Sequence, residues 1–405
     1  MKLFKGILNW LGDTGRVFRR EMNICIRDAG LMLFFVALPL AYPIVYTLIY
    51  NPEVVEKIPV AVVDESHTAQ SRELARKMSA CPAIEVYSYP ANMADAKIQM
   101  AEGEVFGVLQ IPHDYAKKLA RGEQAVVPFY SDMSLLLRYR AFVSALTDLQ
   151  IELATSMTQT TIAQTPLSAL TAGRDVGLPV KNESNFLGDT EQGFASFVIP
   201  GIVILILQQS MILGITLLGG TSRERRRRNG GIDPKEVAGA SVSATVWGRA
   251  LCYVVFYIPS SIYILHWIPE MFNLPHYGSP VDYLLFIFPM LLATAFLGQF
   301  LNILMKERES AFIIIVFTSV VFLFLSGLTW PRYAMNDFWT WAGNTIPAVW
   351  GVEGFIRINS NAATLAESSR PYIALWILTA IYLLGALWTT AYIRAKSRSR
   401  TPAKA

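Results

Sequence analysis

No phosphate-binding loop of the form G-x-x-x-x-G-K-[ST] occurs in this chain, no G-x-G-x-x-G follows a strand-like run, and its three cysteines and four histidines fall at no metal-binding spacing. Nucleotide hydrolysis by this polypeptide alone is therefore excluded, and no metal or other cofactor is expected on it. Cysteine is scarce in a second sense: Cys81 is the lone cysteine of the long polar region that holds it, so no disulfide framework supports that region. Asp, Glu, Lys and Arg are missing from six long apolar stretches. Carriers coupled to protons or ions ordinarily keep such a group in the membrane despite a cost of about 3 kcal/mol or more, and an intramembrane enzyme would need paired Asp, Glu or His there. Both classes are disfavoured, which points to energy supplied from outside the bilayer.

What the chain has in abundance is the stretches themselves: Ala29 to Tyr50, Phe194 to Leu218, Ala250 to Ile268, Tyr283 to Met305, Ala311 to Leu328 and Tyr372 to Ile393, in a composition 53% hydrophobic and 16% charged. Each approaches the roughly 20 residues a helix needs to cross a hydrocarbon core. The expected fold is a polytopic α-helical membrane protein with six transmembrane helices, the first over 29–50 and the others within 193–393. Orientation follows from the cations, because Lys and Arg beside a span resist translocation. They gather before the first stretch (Arg16, Arg19, Arg20, Arg27), after the second (Arg223, Arg225 to Arg228), after the fourth (Lys306, Arg308) and after the last (Arg394, Lys396, Arg398), whereas Pro269 to Asp282 has none. Both termini are expected in the cytoplasm, with 394–405 a basic tail.

The first apolar run starts too late and is too long for a cleaved signal peptide. Ahead of it, in residues 1–28, Leu3, Phe4, Ile7, Leu8 and Leu11 recur at helical spacing among basic residues, which predicts an amphipathic helix in the headgroup layer. The Arg225 to Arg228 run, next to a span, reads as a topology determinant or an anchor for anionic membrane lipid, and no nucleic-acid partner is implied.

Residues 51–192 differ from everything around them. Val60 to Asp64, Ile84 to Tyr89, Val105 to Ile111 and Val126 to Tyr130 read as strands, alternating with helices over Ser71 to Met78, Asn92 to Glu102 and Asp114 to Arg121. This alternation predicts an α/β extracytoplasmic domain with a mixed or parallel sheet. A long helix is expected from Ser134 to Thr165 and a loop from Thr165 to Asp189. Asp64, with Glu65 and His67 beside it, reads as a cap or turn residue ahead of any metal role.

Two local features carry more. In the connection 221–247, Glu224 sits among arginines and Asp233-Pro234-Lys235-Glu236 looks like the start of a short cytoplasmic helix. In 329–371, Trp330-Pro331, the Ile346-Pro347 to Trp350 run and Glu353 form an apolar, Pro-broken segment that reads as a re-entrant or interfacial hairpin on the outer side. Inside the spans the polar groups are neutral: Gln208, Gln209, Ser210, Gln299 and Asn302, which either bridge helices or line a route for amphipathic cargo.

In this order, these features resemble the ABC-2 type permeases, the membrane subunits of type V ABC exporters, over essentially the whole chain. The opening Val60 to Asp64 and the later Gly107-Val-Leu-Gln-Ile-Pro112 look like the multidrug-exporter branch with its large external domain; the polyarginine after Glu224 departs from the family's shorter polar stretch. The resemblance implies a non-catalytic half-transporter in a bacterial inner membrane, paired with an identical or related chain. Separate ATP-binding subunits, which carry ATP and Mg, would grip the N-terminal helix and the loop bearing Glu224, Arg225, Asp233, Pro234, Lys235 and Glu236. Pro39 and Pro43 would bend the first span at the dimer face and, with Gln208, Gln209, Gln299 and Asn302, line the translocation path. Pro331, Pro347 and Glu353 belong to the external segment, and a periplasmic adaptor is a further implied partner. The implied function is export of hydrophobic or amphipathic molecules. The alternative is a membrane-anchored surface or phage-receptor-like protein whose external domain is the binding module.

Overall fold

The computed structural model describes residues 2–50, 55–121, 123–163 and 193–398. The expected loop over 165–189 and the tail from 399 onward lie outside the described residues, as do the side chains of Leu3 and Phe4. Two compact units result, Met1–Asn51 with Phe186–Ala405, and Pro52–Asn185.

Helix α1 (Lys2–Arg27) meets α2 (Ala29–Tyr50) at Asp28, whose carboxylate accepts from the N–H groups of Gly30 and Leu31 and so caps the second helix. The buried stripe of α1 is Thr14, Val17, Glu21 and Cys25, at spacings of three and four. Ile7, Leu8 and Leu11 remain exposed. The apolar stripe evident in the sequence is thus the one this chain leaves uncovered. In α2 a π-helical turn, Leu33–Ala37, comes just before Pro39 and Pro43. Those prolines lack an N–H for the ladder, and the widened turn is where the helix absorbs it.

The second unit is built on β1 (Ile58–Asp64), followed by α3 (Ala69–Ser79), β2 (Ile84–Ser88), α4 (Met93–Glu102), β3 (Gly107–Ile111), α5 (Tyr115–Ala120), β4 (Phe129–Ser131) and α6 (Leu136–Ala163). Strand order is β2-β1-β3-β4, with β1 parallel to both neighbours and β4 antiparallel at one edge. The sheet is therefore mixed. Central β1 is buried on both faces, Val60 and Val62 against Met78, Ile111 and Phe142, and Ala61 and Val63 against Ala96 and Val108. That two-sided burial is why it reads as one continuous apolar run. Asp64 anchors the turn after β1, accepting from the Ser66 and His67 N–H groups and from Ser71 Oγ at 2.7 Å.

The bundle continues with α7 (Phe194–Arg228), α8 (Val242–Met271), α9 (Pro280–Leu301), α10 (Arg308–Leu325), α11 (Asp337–Asn344), α12 (Pro347–Asn361) and α13 (Ser369–Arg398). Six of its helices, α2, α7, α8, α9, α10 and α13, are long and apolar enough to cross a membrane. Burial ranks them: 78% of the most apolar window of α7 and 72% of that of α9 lie inside the chain, against 22% for α2 and 17% for α10. Two helices thus form the axis, and three, α2, α10 and α13 with 28%, present most of their surface outward. Where α2 crosses α7, Gly214 lets the Phe35 ring lie directly on the backbone; a Cβ there would overlap the ring.

Three expectations need correction. The arginine run does not start a loop; it extends α7 to 35 residues, because Arg is a good helix former and the side chains of Arg225, Arg226 and Arg227 find acidic partners. The connection to α8 shrinks accordingly to 229–241. Within it, Asp233 to Glu236 forms a single turn and no helix, since Asp233 is held by groups outside the turn and Gly239 follows at φ +78°. Pro39 and Pro43 do not face outward either. With Thr47 they form a buried stripe in contact with the rest of the bundle, while Tyr42, Val45 and Ile49 form the exposed side of α2.

Candidate functional site

The final turns of α7 act as a comb whose teeth tie together the ends of the other spans. Arg223 donates to the Ile303 carbonyl after α9 at 3.2 Å. Glu224 accepts the Arg308 N–H at 2.7 Å, which places a carboxylate on the N-terminal end of α10, where the helix dipole favours it. Arg225 makes a fork to Asp233, 2.9 and 3.1 Å, and Arg226 pairs with Glu236. Glu236 also holds Arg394 of α13 at 2.8 Å, and Arg394 donates on to the Ala240 carbonyl and to Thr245 Oγ1. Arg227 meets Glu307 at 3.0 Å. The connection 229–241 is therefore pinned to α7 and α13 by charge-assisted bonds, each stronger than a neutral one.

Asp233 is the centre of this framework. It is 2% exposed and accepts from Ser222 Oγ at 2.6 Å and from the Lys235 N–H at 3.0 Å besides the Arg225 fork. Burial alone would raise its pKa. The donors outweigh that penalty and draw the carboxyl down to about 2. Asp28 is held below its ordinary value chiefly by Arg308, which bonds both its oxygens at 2.9 Å.

A second buried group joins α1 to α8. Glu21, 3% exposed, accepts from Tyr253 Oη at 2.7 Å, with the Arg249 guanidinium at 3.7 Å and Arg20 at 3.6 Å. Trp10 Nε1 donates to Ser243 Oγ at 3.1 Å nearer the start of α8. Sequence reasoning missed this set. Arg249 is the residue just before an apolar run and counts there as a flank, and nothing local marks Glu21 as its partner.

The amides inside the spans separate into different roles. Gln208 is fully buried and its Oε1 accepts the Ala348 N–H at 2.6 Å, capping α12 at the point where Pro347 begins it. Gln299 Nε2 donates to the Val246 carbonyl at 3.2 Å, joining α9 to α8. Both amide atoms of Gln209, Gln208 Nε2, Gln299 Oε1 and Asn302 Oδ1 are buried without a hydrogen-bond partner among the described residues. Ser261 Oγ and Thr294 Oγ1 are buried without a partner in the same way, so unpartnered polar atoms occur on α7, α8 and α9 and just after α9.

At the opposite end, the segment 329–371 holds α11 and α12. Arg332, next to Pro331, bonds Glu353 at 2.7 Å, contacts Asn344 and lies over the Trp350 ring at 4.9 Å. Arg357 also reaches Glu353, at 2.8 Å. His266 Nδ1 and His276 Nε2 are 3.0 Å apart, and His276 Nδ1 faces Asn359 Oδ1 and Tyr283 Oη at 3.2 and 3.1 Å.

A bundle of six apolar helices, tied by ion pairs at the ends of its spans and holding the buried Glu21–Arg249 group where α1 meets α8, defines a polytopic helical membrane protein. A family model for ABC-2 family transporter proteins matches residues 30–388, so this chain belongs to that family. A comparison with curated proteins returns no match. Membership makes it the permease subunit of an ABC transporter, a non-catalytic membrane component that associates with an ABC ATP-binding subunit.

Proposed function

We propose that this permease exports hydrophobic or amphipathic molecules, with the basic end of the bundle in the cytoplasm and the α/β unit outside it, in a bacterial inner membrane. One observation carries the coupling part of this reading: the connection 229–241 hangs from α7 and α13 by the Arg225–Asp233, Arg226–Glu236 and Arg394–Glu236 pairs. A motor subunit pressing on Pro234 and Lys235 would move two spans together with the loop. In this assignment Arg225, Asp233 and Glu236 transmit force and Glu224 passes it to α10. Pro234 and Lys235 are the surface offered.

Two copies, or this chain and a related one, would pair through the outward faces of α2 and α10. The cargo route would follow the unpartnered amides of Gln209 and Asn302, with Gln208 and Gln299 positioning α12 and α8. Pro331, Pro347 and Glu353 would shape its outer end, and the α/β unit would gate cargo or receive a periplasmic adaptor. The test is co-purification with the cognate ATP-binding subunit. The permease alone should hydrolyse no ATP, the assembled pair should, and replacing 233–236 by a Gly-Ser linker should abolish co-purification while leaving insertion intact. Turnover by the permease alone, or unchanged co-purification of the linker variant, would overturn the assignment.

A further inference from the structure

Between the last turns of α1, the start of α2, the end of α7 and the Pro234–Glu236 turn lies an open cavity of about 700 Å³. Its wall contains four cations, Arg20, Arg27, Arg225 and Lys235, and two acids, Asp28 and Glu236. Both acids are already engaged from elsewhere, Asp28 by Arg308 and Glu236 by Arg226 and Arg394. Arg225 is engaged by Asp233. That leaves Arg27 and Lys235, with Arg20 only partly engaged. Arg20 pairs with Glu21 through one terminal nitrogen at 3.6 Å, and its Nε is buried without a hydrogen-bond partner. The side chains of Arg27 and Lys235 have no ion pair or hydrogen bond among the described residues.

The rest of the wall is Asn23, Thr221 and Pro234 together with an apolar part, Ile24, Ala29 and Leu218. Ala29 opens the apolar run of α2, so the cavity sits at the depth where hydrocarbon gives way to headgroups. A small anion would use the cations and leave that apolar wall uncovered. An amphiphile with an anionic phosphodiester and acyl chains would use both.

We infer that this cavity is a binding site for an anionic phospholipid, its phosphodiester held by Arg20, Arg27 and Lys235 and its glycerol and first acyl carbons against Ile24, Ala29 and Leu218. The site rests on the same placement of α1 and the basic end at a membrane surface, but it does not require a motor or a cargo. It changes the meaning of the polyarginine run: those arginines hold the protein together, and the lipid contacts fall to cations that are scattered in sequence. Because α1, α7 and the turn each supply one wall, a lipid seated there would fix the loop against α1.

The experiment uses the full-length permease without its ATP-binding subunit, so that its failure is separate from any failure of the export reading. Delipidated protein is titrated with phosphatidylglycerol, phosphatidylcholine or inorganic phosphate, and bound species are counted by native mass spectrometry. Phosphatidylglycerol should be retained at least tenfold more tightly than phosphatidylcholine, and millimolar phosphate should not displace it. Juxtamembrane cations contribute comparable increments each, so R27Q/K235Q should bind phosphatidylglycerol about thirtyfold more weakly. R27Q alone, at an exposed position, should show part of that loss. A matched control, R16Q/R19Q, removes two cations of the same helix outside the cavity and should bind as the parent does. Equal loss in the control would mean diffuse surface attraction, displacement by phosphate would mean a small-anion site, and no preference over phosphatidylcholine would mean no anionic site; each overturns the inference.

Discussion

Replacing Asp233 by Asn tests the ionic framework at its most heavily loaded point. The side chain keeps its size and one acceptor oxygen but loses the charge that the Arg225 fork, Ser222 and the Lys235 N–H converge on. The carboxyl's displacement from 3.8 to about 2 measures how much more strongly the folded site binds the ionised form. At about 1.36 kcal/mol for each pH unit, that difference amounts to about 2 kcal/mol near neutral pH. A loss of about 2 kcal/mol corresponds to roughly thirtyfold more frequent opening of the loop. Hydrogen exchange of peptides covering 229–241, corrected for intrinsic rates, reads this directly. The carboxyl is depressed in the fold, so its stabilisation is complete above about pH 4 and disappears as pH falls through about 2. Parent and variant should therefore differ by about thirtyfold at pH 7 and converge in acid. Identical protection at pH 7 would mean that the loop is held by packing or by Arg394 alone, and the framework argument would fail.

The buried Glu21 group should behave differently from a surface pair. E21Q keeps an acceptor for Tyr253 but leaves Arg249 buried without its charge, at a cost of about 3–5 kcal/mol; α1 should become protease-sensitive, and E21M/R249M should recover much of the loss, whereas equal behaviour of both variants would refute the pairing. G214A drives a methyl into the Phe35 ring and should lower the unfolding temperature by the equivalent of about 1–3 kcal/mol, with relief when Phe35 is shortened to Leu; an unchanged melting curve would show that α2 does not seat there. His276 is pushed below its ordinary value by burial, so the unfolded chain binds the extra proton first and stability falls as pH drops below about 6.5. Protection of the Tyr277 amide, which donates to the Asn359 carbonyl, should decline from pH 7 to pH 5 in the parent and stay level in H276Q, and a decline of the same size in both would remove the histidine from the account.

What could be read from residues alone was whatever is local or periodic. About twenty apolar residues without a charge seldom form anything but a helix in apolar surroundings, so Phe194 to Leu218 and its counterparts appear as helices at the expected places. The strand of β1 and the helix expected from Asn92, observed as α4, were legible for the same reason: burial on both faces, and a side chain such as Asn92 that accepts the Asp95 N–H at a helix start, leave marks within a few residues. Partnership over long separation leaves none. Glu21 finds Arg249 and Tyr253, and Arg394 finds Glu236, only after the spans have packed. The polyarginine run illustrates the limit most clearly. Adjacent to a span it reads as a topology signal or a lipid anchor, yet on a helix successive residues point about 100° apart, so neighbours in sequence reach different elements. Pro39 and Pro43 fail in the opposite way: composition marked them as special, but only their four-residue spacing onto the Thr47 side shows that they face inward.

The distribution of burial gives these contacts a mechanical sense. The axis of the bundle, α7 and α9, is enclosed, and the comb of charges grows from the end of α7 itself. A displacement of the connection 229–241, as the proposed coupling requires, would reach first the most buried helix, and from there through Glu224 the start of α10, one of the least buried. Gln208 lies on the same α7 and holds the first turn of α12, so a shift of α7 along its axis would move the segment at the far end too. A single continuous helix therefore joins the ionic framework at one end to the capped helix at the other. Coupling along it needs no chain of side-chain rearrangements, because a packed helix moves as a body.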